Sequence, residues 1–90
     1  MTFHTEDLPL AAFLHATRKL RFVNCESING NGRIAFVFED SKREGEHLHI
    51  QFESGAECPA ATFYDSVRHL RRVMSRVRNN GAKNSEYSQF

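Results

Sequence analysis

Several patterns that commonly mark a function are scarce in this chain. It has no tryptophan, no long apolar run and two cysteines, Cys25 and Cys58. It also lacks a basic segment followed by an apolar one at its start, so we expect neither a membrane span nor a secretory signal. Two cysteines are too few for a disulfide scaffold, which favours reduced thiols in a cytoplasmic protein.

Motifs for metal binding and catalysis are also lacking. The five histidines include His47 and His49, which would share a face on a strand but diverge by roughly 200° on a helix. No Cys-x-x-Cys or His-x-x-x-His pair of a structural zinc site is present. Cys25 is expected to pack as a small hydrophobe, while His15 and His69 are expected to be solvated or hydrogen-bonded. We predict a non-enzymatic protein without catalytic residues, metal or cofactor.

Length and charge limit the remaining possibilities. Ninety residues with a hydrophobic share of 40% suffice for one domain, which we place at residues 1–79. We expect the polar tail, residues 80–90, to be disordered. Residues 1–65 contain six Lys/Arg and ten Asp/Glu, which gives a net charge of −4. Residues 66–90 contain six Lys/Arg and one Asp/Glu, which gives a net charge of +5. A basic end on an acidic body suits an anionic partner or a second copy of the chain.

The first half of the chain predicts an edge strand, a helix and a hairpin. Thr2–His4 can pair as the edge strand, and Thr5 can cap a helix over Glu6–Thr17, with Pro9 in its first turn. Two Asn-Gly pairs at residues 29–32 lie between β-branched and aromatic runs, the pattern of a β-hairpin. In its second strand Ile34, Phe36 and Phe38 share one face.

The segment from Lys42 to Glu53 fits two structures. Leu48, Ile50 and Phe52 alternate with polar residues, which is the period of a strand. A capping-box pattern of Ser41 and Glu44, with Gly55 just beyond, instead favours a helix over Lys42–Glu53. We favour the helix and keep the strand as the alternative.

The last part of the domain predicts a long helix. Residues 56–58 form a possible short strand before Pro59, which opens a helix running to about Asn79. Its apolar positions follow a 4-3-4-3 spacing, widened by one more valine; they are Phe63, Val67, Leu70, Val73, Met74 and Val77. The whole order predicts an α+β fold: a small antiparallel or mixed sheet of three to four strands with a central β-hairpin, packed against about three helices.

Three stretches resemble a small bacterial and phage family of uncharacterised proteins, a domain of unknown function. They are TEDLPLAAFLHA, RIAFVFEDS and FYDSVRHLRRVM. RIAFVFEDS is similar to the family's apolar strand that ends in Phe-Glu-Asp before a helix, and QFESGAECPAATFYDSVRHLR is similar to its link between the last two helices. The resemblance covers roughly residues 3 to 78, implies the same α+β order with residues 42–53 helical, and implies no activity. The chain departs from the family near Arg18-Lys19, where a glycine is expected.

The long helix carries the one feature with functional weight. Five arginines fall between Arg68 and Arg78, and the chain uses nine arginines to three lysines. Arg68, Arg72 and Arg76 form an i, i+4, i+8 row almost opposite the apolar stripe. Like charges so placed repel by a few tenths of a kcal/mol, and only Asp65 is near enough to compensate. The arginine fork also suits phosphate or carboxylate contacts better than lysine does.

Two hypotheses follow from this helix. The first is a protein-interaction module, a homodimer or an adaptor, whose basic helix meets an acidic surface. The alternative is an accessory protein that contacts the phosphates of DNA or RNA. Both use the same candidate residues: Tyr64, Arg68, Arg71, Arg72, Arg76, Arg78 and Lys83.

Overall fold

The computed structural model describes residues 1–28 and 33–87, with side chains described as far as Arg78. Within these residues the chain order is β1 (Thr2–Thr5), α1 (Leu8–Thr17), β2 (Arg21–Ile28), β3 (Arg33–Glu39), α2 (Gly45–Glu53) and α3 (Ala60–Tyr87). Three strands and three helices confirm the predicted α+β class. No helix in the described part of the chain combines the length and apolarity that a membrane crossing requires.

The sheet is antiparallel, with β3 at its centre in the order β1-β3-β2. Phe38 of β3 pairs with Phe3 of β1 and with Phe22 of β2. Strands β2 and β3 form the predicted hairpin, while its predicted Asn-Gly turn at residues 29–32 lies outside the described residues. The register of β2 shifts between Phe22 and Asn24, which is the signature of a bulge.

Strand β3 supplies the core from the face predicted to be apolar. Ile34, Phe36 and Phe38 are buried and belong to one cluster with the residues of α1. Ala35 and Val37, on the opposite face, are buried as well. Both are small, and the side chains of the residues paired with them lie next to them on the same face, where cross-strand neighbours can cover a central strand; these residues are Glu26, His4 and Asn24.

Helix α1 begins two residues later than predicted. Thr5 is the last residue of β1, paired with Phe36, and its hydroxyl accepts a hydrogen bond from the N–H of Asp7. Asp7 is the N-cap, and its carboxylate accepts from the N–H of Leu10 at 3.4 Å. The prediction that Thr5 caps the helix is therefore wrong, because the sheet already uses that residue.

The segment after β3 forms helix α2, as favoured, rather than the alternative strand. It starts at Gly45 instead of Lys42 because Arg43 has a left-handed backbone, with φ of 56°. The buried carboxylate of Asp40, not Ser41, accepts the N–H groups of Glu44 at 2.6 Å and Gly45 at 2.8 Å. The predicted capping box is thus wrong.

Beyond α2 the chain turns directly into α3. Gly55 has φ of +91°, as expected for a glycine that follows a helix end. The possible strand at residues 56–58 does not form, because the N–H of Ala56 bonds back to the carbonyl of Gln51. Helix α3 continues past its predicted end at Asn79 to Tyr87. Disorder of the tail in solution stays a prediction.

Helix α3 packs mainly against α1 and β2. Leu70 is fully buried in the core, and the other members of the predicted apolar stripe are partly buried against it; they are Phe63, Val67, Val73, Met74 and Val77. This confirms the predicted inner face of α3. The opposite face of the helix is consequently presented to solvent, and it carries the arginines.

Candidate functional site

Four arginines of α3 lie together on its outer surface. Arg68, Arg71, Arg72 and Arg76 are all exposed and, with Ser75, line an open depression of about 590 Å³. Residues four apart on a helix rise by about 6 Å, so the row from Arg68 to Arg76 covers about 12 Å of surface. We call this surface the arginine face.

The arginine face has one aromatic neighbour. Tyr64 is 62% exposed, and the guanidinium carbon of Arg68 lies 5.7 Å from the centre of its ring. That distance is within the range of a cation–π interaction. Arg68 therefore covers one side of the ring and is held next to Arg71 and Arg72.

No acidic side chain forms an ion pair with the arginine face within the described part of the chain. The salt bridges found there involve Arg21, Arg33, His4 and His49, and none involves Arg68, Arg71, Arg72 or Arg76. Asp65 was the acid expected to compensate Arg68, yet no ion pair joins the two described side chains. The positive charges of the arginine face therefore have no acidic partner among the described side chains.

Two predicted residues are not placed on this face. Arg78 is exposed and takes part in an interaction of its own, outside the depression that the other four arginines line. Lys83 belongs to the backbone of α3, but its side chain lies outside the described part. The structure thus groups Arg68, Arg71, Arg72 and Arg76 with Tyr64.

Most acidic side chains of the body already have partners. Arg33 donates two hydrogen bonds to Glu6, and Arg21 donates two to Glu39 at 2.8 and 2.7 Å. These hydrogen bonds hold the pKa of Glu6 and the pKa of Glu39 below the usual range of a glutamate. Six of the ten acids in residues 1–65 contact an arginine, a histidine or a backbone N–H group. They are Glu6, Asp7, Glu26, Glu39, Asp40 and Glu53.

A second surface feature was missed from the sequence. A cleft of about 460 Å³ between α1, β2 and α3 is lined by two histidines, two arginines and two apolar side chains; they are His15, His69, Arg18, Arg21, Leu20 and Phe22. The two imidazole rings are stacked with their centres 5.0 Å apart. His15 and His69 are far apart in sequence, and only the packing of α1 on α3 brings them together. We call this site the histidine–arginine cleft.

His15 is anchored at the edge of the core. Its Nδ1 lies 2.8 Å from the hydroxyl oxygen of Ser66, which confirms that this histidine is hydrogen-bonded. Burial lowers the pKa of His15, and the nearby charges of His69 and Arg18 lower it further. Each effect disfavours the imidazolium form.

The residues weighed for other chemistry lie apart. Cys25 is buried, and burial raises the pKa of its thiol to about 11, which opposes formation of the reactive thiolate. His47 and His49 contact Gln51 and Glu53 respectively. Among the described residues, no three histidine, cysteine, aspartate or glutamate side chains are grouped so that they could hold a metal ion.

The comparisons with known proteins add no relative. No protein-family model, no curated protein and no solved structure matches this chain significantly. Resemblance to the bacterial and phage family therefore stays a prediction, and a function has to be argued from the geometry of the arginine face and the cleft.

Proposed function

We propose that the protein is a non-enzymatic interaction module whose arginine face binds an acidic surface of a partner protein. The observation that carries this proposal is the grouping of Arg68, Arg71, Arg72 and Arg76 on one exposed face. None of the four has an acidic partner among the described side chains. Unanswered like charges repel one another, and an acidic partner offsets that repulsion while it offers carboxylates to the arginine forks.

A different molecule is a better partner for this face than a second copy of the chain. Self-association would need a complementary acidic face on the body. Glu6 and Glu39 are already held by Arg33 and Arg21, and Asp40 is buried beneath the start of α2. Fewer than half of the ten acids of the body remain for the arginines of another copy, and on this ground we favour an adaptor over a homodimer.

Two further features support the non-enzymatic and cytoplasmic parts of the proposal. Cys25 is buried, and burial raises the pKa of its thiol to about 11, so it is neither exposed nor activated as a nucleophile. Cys25 and Cys58 are both free thiols, which suits a reducing compartment.

Binding to a model acidic chain tests the proposal directly. The full-length protein is titrated into fluorescent polyglutamate at low and moderate salt, and anisotropy is recorded. We expect saturable binding that weakens with salt, with Arg72→Glu lowering the affinity about tenfold or more. Arg43→Glu, which reverses an exposed arginine far from this face, should change it little. Equal losses from both variants, or no binding at low salt, would contradict the proposal.

Nucleic acid is the second candidate partner. The pairing of Arg68 with Tyr64 favours it, because an aromatic ring beside a row of cations is the arrangement on which single-stranded nucleic acid stacks. Mixed-sequence oligonucleotides in the same anisotropy assay distinguish the two. If they bind more tightly than polyglutamate, with a steep salt dependence and loss in both Arg72→Glu and Tyr64→Ala, the partner is nucleic acid. Light scattering after size exclusion, with and without oligonucleotide, fixes the stoichiometry.

A further inference from the structure

The histidine–arginine cleft brings cationic groups from three elements into one concave site. Arg18 comes from the end of α1, Arg21 from the start of β2 and His69 from the outer side of α3, with His15 behind them. Leu20 and Phe22 supply its apolar wall. Its volume of about 460 Å³ falls within the usual range for small-molecule sites.

Arg18 occupies a backbone position that suits glycine. It lies just after α1 in the left-handed conformation, with φ of 55° and ψ of 28°, and its N–H donates to the carbonyl of His15. A side chain with a Cβ is strained there, whereas glycine is not. The guanidinium forms no ion pair within the described part of the chain. Arginine at this position therefore has a conformational cost that no ion pair among the described side chains offsets.

The guanidinium of Arg21 is held in place by Glu39 and still has one nitrogen available to a ligand. Its Nε and Nη2 donate to the two carboxylate oxygens of Glu39, which orients the planar group. Its Nη1 has no hydrogen-bond partner among the described residues. Arg21 can therefore donate from Nη1 to a ligand without breaking its bonds to Glu39.

Burial and the neighbouring cations lower the pKa of His15, so a proton on this histidine is unfavourable without an anion. The Nδ1 of His15 is engaged by Ser66, which leaves Nε2 of its ring as the other polar atom. The rings stack at 5.0 Å, so two imidazolium ions would repel each other at close range. An anion with two negative charges in the cleft beside the stacked rings would offset this repulsion.

We propose that the histidine–arginine cleft binds the phosphate group of a small phosphate monoester, with Arg18 and Arg21 donating to its oxygens. His15 and His69 complete the site, and His15 takes up a proton as the dianion binds. A phosphate monoester carries about −1.5 to −2 charges at neutral pH and three acceptor oxygens, which suits several donors converging from different elements. A carboxylate carries one charge and would leave part of the cationic group unanswered. Phe22 and Leu20 face the organic part of the ester.

Substitution of Arg18 by glycine tests the site without damaging the fold. Inorganic phosphate and adenosine monophosphate are titrated separately into the full-length protein, and binding is followed by amide chemical shifts and calorimetry. We expect saturable shifts at residues around the cleft. Arg18→Gly should weaken binding about tenfold or more, because charge-assisted hydrogen bonds are lost, while it raises the thermal midpoint.

Arg43→Gly is the matched control. Arg43 is also an exposed arginine with a left-handed backbone, at φ of 56°, but it lies outside the cleft. It should give the same thermal stabilisation and leave phosphate affinity unchanged. Shifts that do not saturate, or equal losses of affinity in the two variants, would overturn the proposal. If adenosine monophosphate binds more tightly than phosphate, the cleft prefers an ester. Equal affinities would show that the cleft recognises inorganic phosphate alone and would contradict the proposal of a monoester ligand.

The pH dependence of anion affinity distinguishes the contribution of the histidines from that of the arginines. His15 faces Arg18 on its own helix, Arg21 of β2 with its partner Glu39, and Ser66 and His69 of α3. Sulfate serves as a probe because it remains a dianion over the whole range, so any change with pH belongs to the protein. Sulfate should bind more tightly at pH 6 than at pH 8, and His15→Gln with His69→Gln should abolish the difference. A pH-independent affinity in the unsubstituted protein would contradict proton uptake.

The cleft and the arginine face are lined by different residues and can be tested separately. No residue lines both the cleft and the arginine face. Arg72 is only three residues from His69 on α3, so the charge reversal that separates the two sites is Arg76→Glu, about 10 Å further along the helix from His69. Arg76→Glu should weaken polyglutamate binding about tenfold or more and leave phosphate binding within about twofold, since an exposed charge at that distance is screened. Arg18→Gly should do the reverse, so that failure of one proposal leaves the other standing.

Discussion

The side chain of His15 on α1 is joined to that of Ser66 on α3 by a hydrogen bond of 2.8 Å between Nδ1 and Oγ. Ser66 is only 3% exposed, so without His15 its hydroxyl would lose a partner in a nearly dry place. The bond ties the two helices together beside the histidine–arginine cleft. It also fixes which nitrogen of His15 remains for a ligand.

Loss of this bond should be measurable as a loss of stability. We expect Ser66→Ala to lower the free energy of unfolding by about 1 kcal/mol, the usual net contribution of a hydrogen bond. Ser75→Ala, which removes an exposed hydroxyl from the same helix, should stay within about 0.5 kcal/mol. Urea denaturation measures both. If Ser66→Ala costs no more than Ser75→Ala, the bond does not stabilise the fold.

Stability should also fall in mildly acidic solution because of His15. Its pKa is lowered from 6.5 in the folded protein, so the unfolded chain takes up the proton first as the pH decreases. The folded state is therefore destabilised progressively below about pH 6.5, and His15 contributes nothing above it. Urea titrations at pH 7.5 and 5.5, without phosphate or sulfate, should show the decline.

The variant His15→Gln isolates this effect. Its stability should depend less on pH between 7.5 and 5.5 than that of the unsubstituted protein. The carboxylates with lowered pKa values, Glu6 and Glu39, lose their stabilising effect as the pH falls below 4.5, outside this interval. An identical pH dependence in both proteins would show that His15 is not responsible.

Asp40 should contribute more to stability than its position at the end of a strand suggests. Its carboxylate is 5% exposed and accepts the N–H groups of Glu44 and Gly45. Asp40→Ala leaves these groups without a partner and should cost about 2 kcal/mol. Ser41→Ala, at the neighbouring residue, should have almost no effect. Thermal or urea unfolding of the two variants decides which residue caps α2, and a larger loss for Ser41→Ala would contradict the structure.

Local periodicity was enough to predict the elements that carry most of the core. The alternation of Ile34, Phe36 and Phe38 predicts a strand, and the spacing along α3 predicts its buried stripe, since both patterns depend only on neighbours in sequence. The outward arginine row follows from the same helical geometry. This is why most of the arginine face could be placed before the structure was known.

The start of α3 after Pro59 was predicted, but the starts of α1 and α2 were not. A long-range strand pairing decides the first, and the backbone turn at Arg43 decides the second. Thr5 has the chemistry of an N-cap, but pairing with Phe36 keeps it in β1. Ser41 fits a capping box, yet Asp40 reaches the N–H groups first because Arg43 reverses the backbone. The cleft was missed because it depends on the packing of α1 on α3. Nothing local connects His15 with His69.

Gly45 shows a further contact that the sequence does not reveal. A Cβ at this position would lie 2.6 Å from Cγ of Phe3, closer than such atoms approach. Alanine is normally better than glycine in a helix by about 1 kcal/mol, but we expect Gly45→Ala to destabilise the protein by about 2 kcal/mol through overpacking. The cost should shrink in the presence of Phe3→Ala, in a double-mutant cycle followed by urea denaturation. Simple additivity would contradict the predicted clash.

The two left-handed arginines provide the last prediction. Arg18 and Arg43 have φ of 55° and 56°, and glycine adopts that conformation without strain. Each substitution by glycine should therefore stabilise the folded protein by about 1 kcal/mol. The measurement is the urea midpoint of each variant and of the double variant, whose gains should add because the residues share no contact. A loss of stability in Arg18→Gly alone would mean that its guanidinium supports the fold, and that its strained backbone is not retained for a ligand.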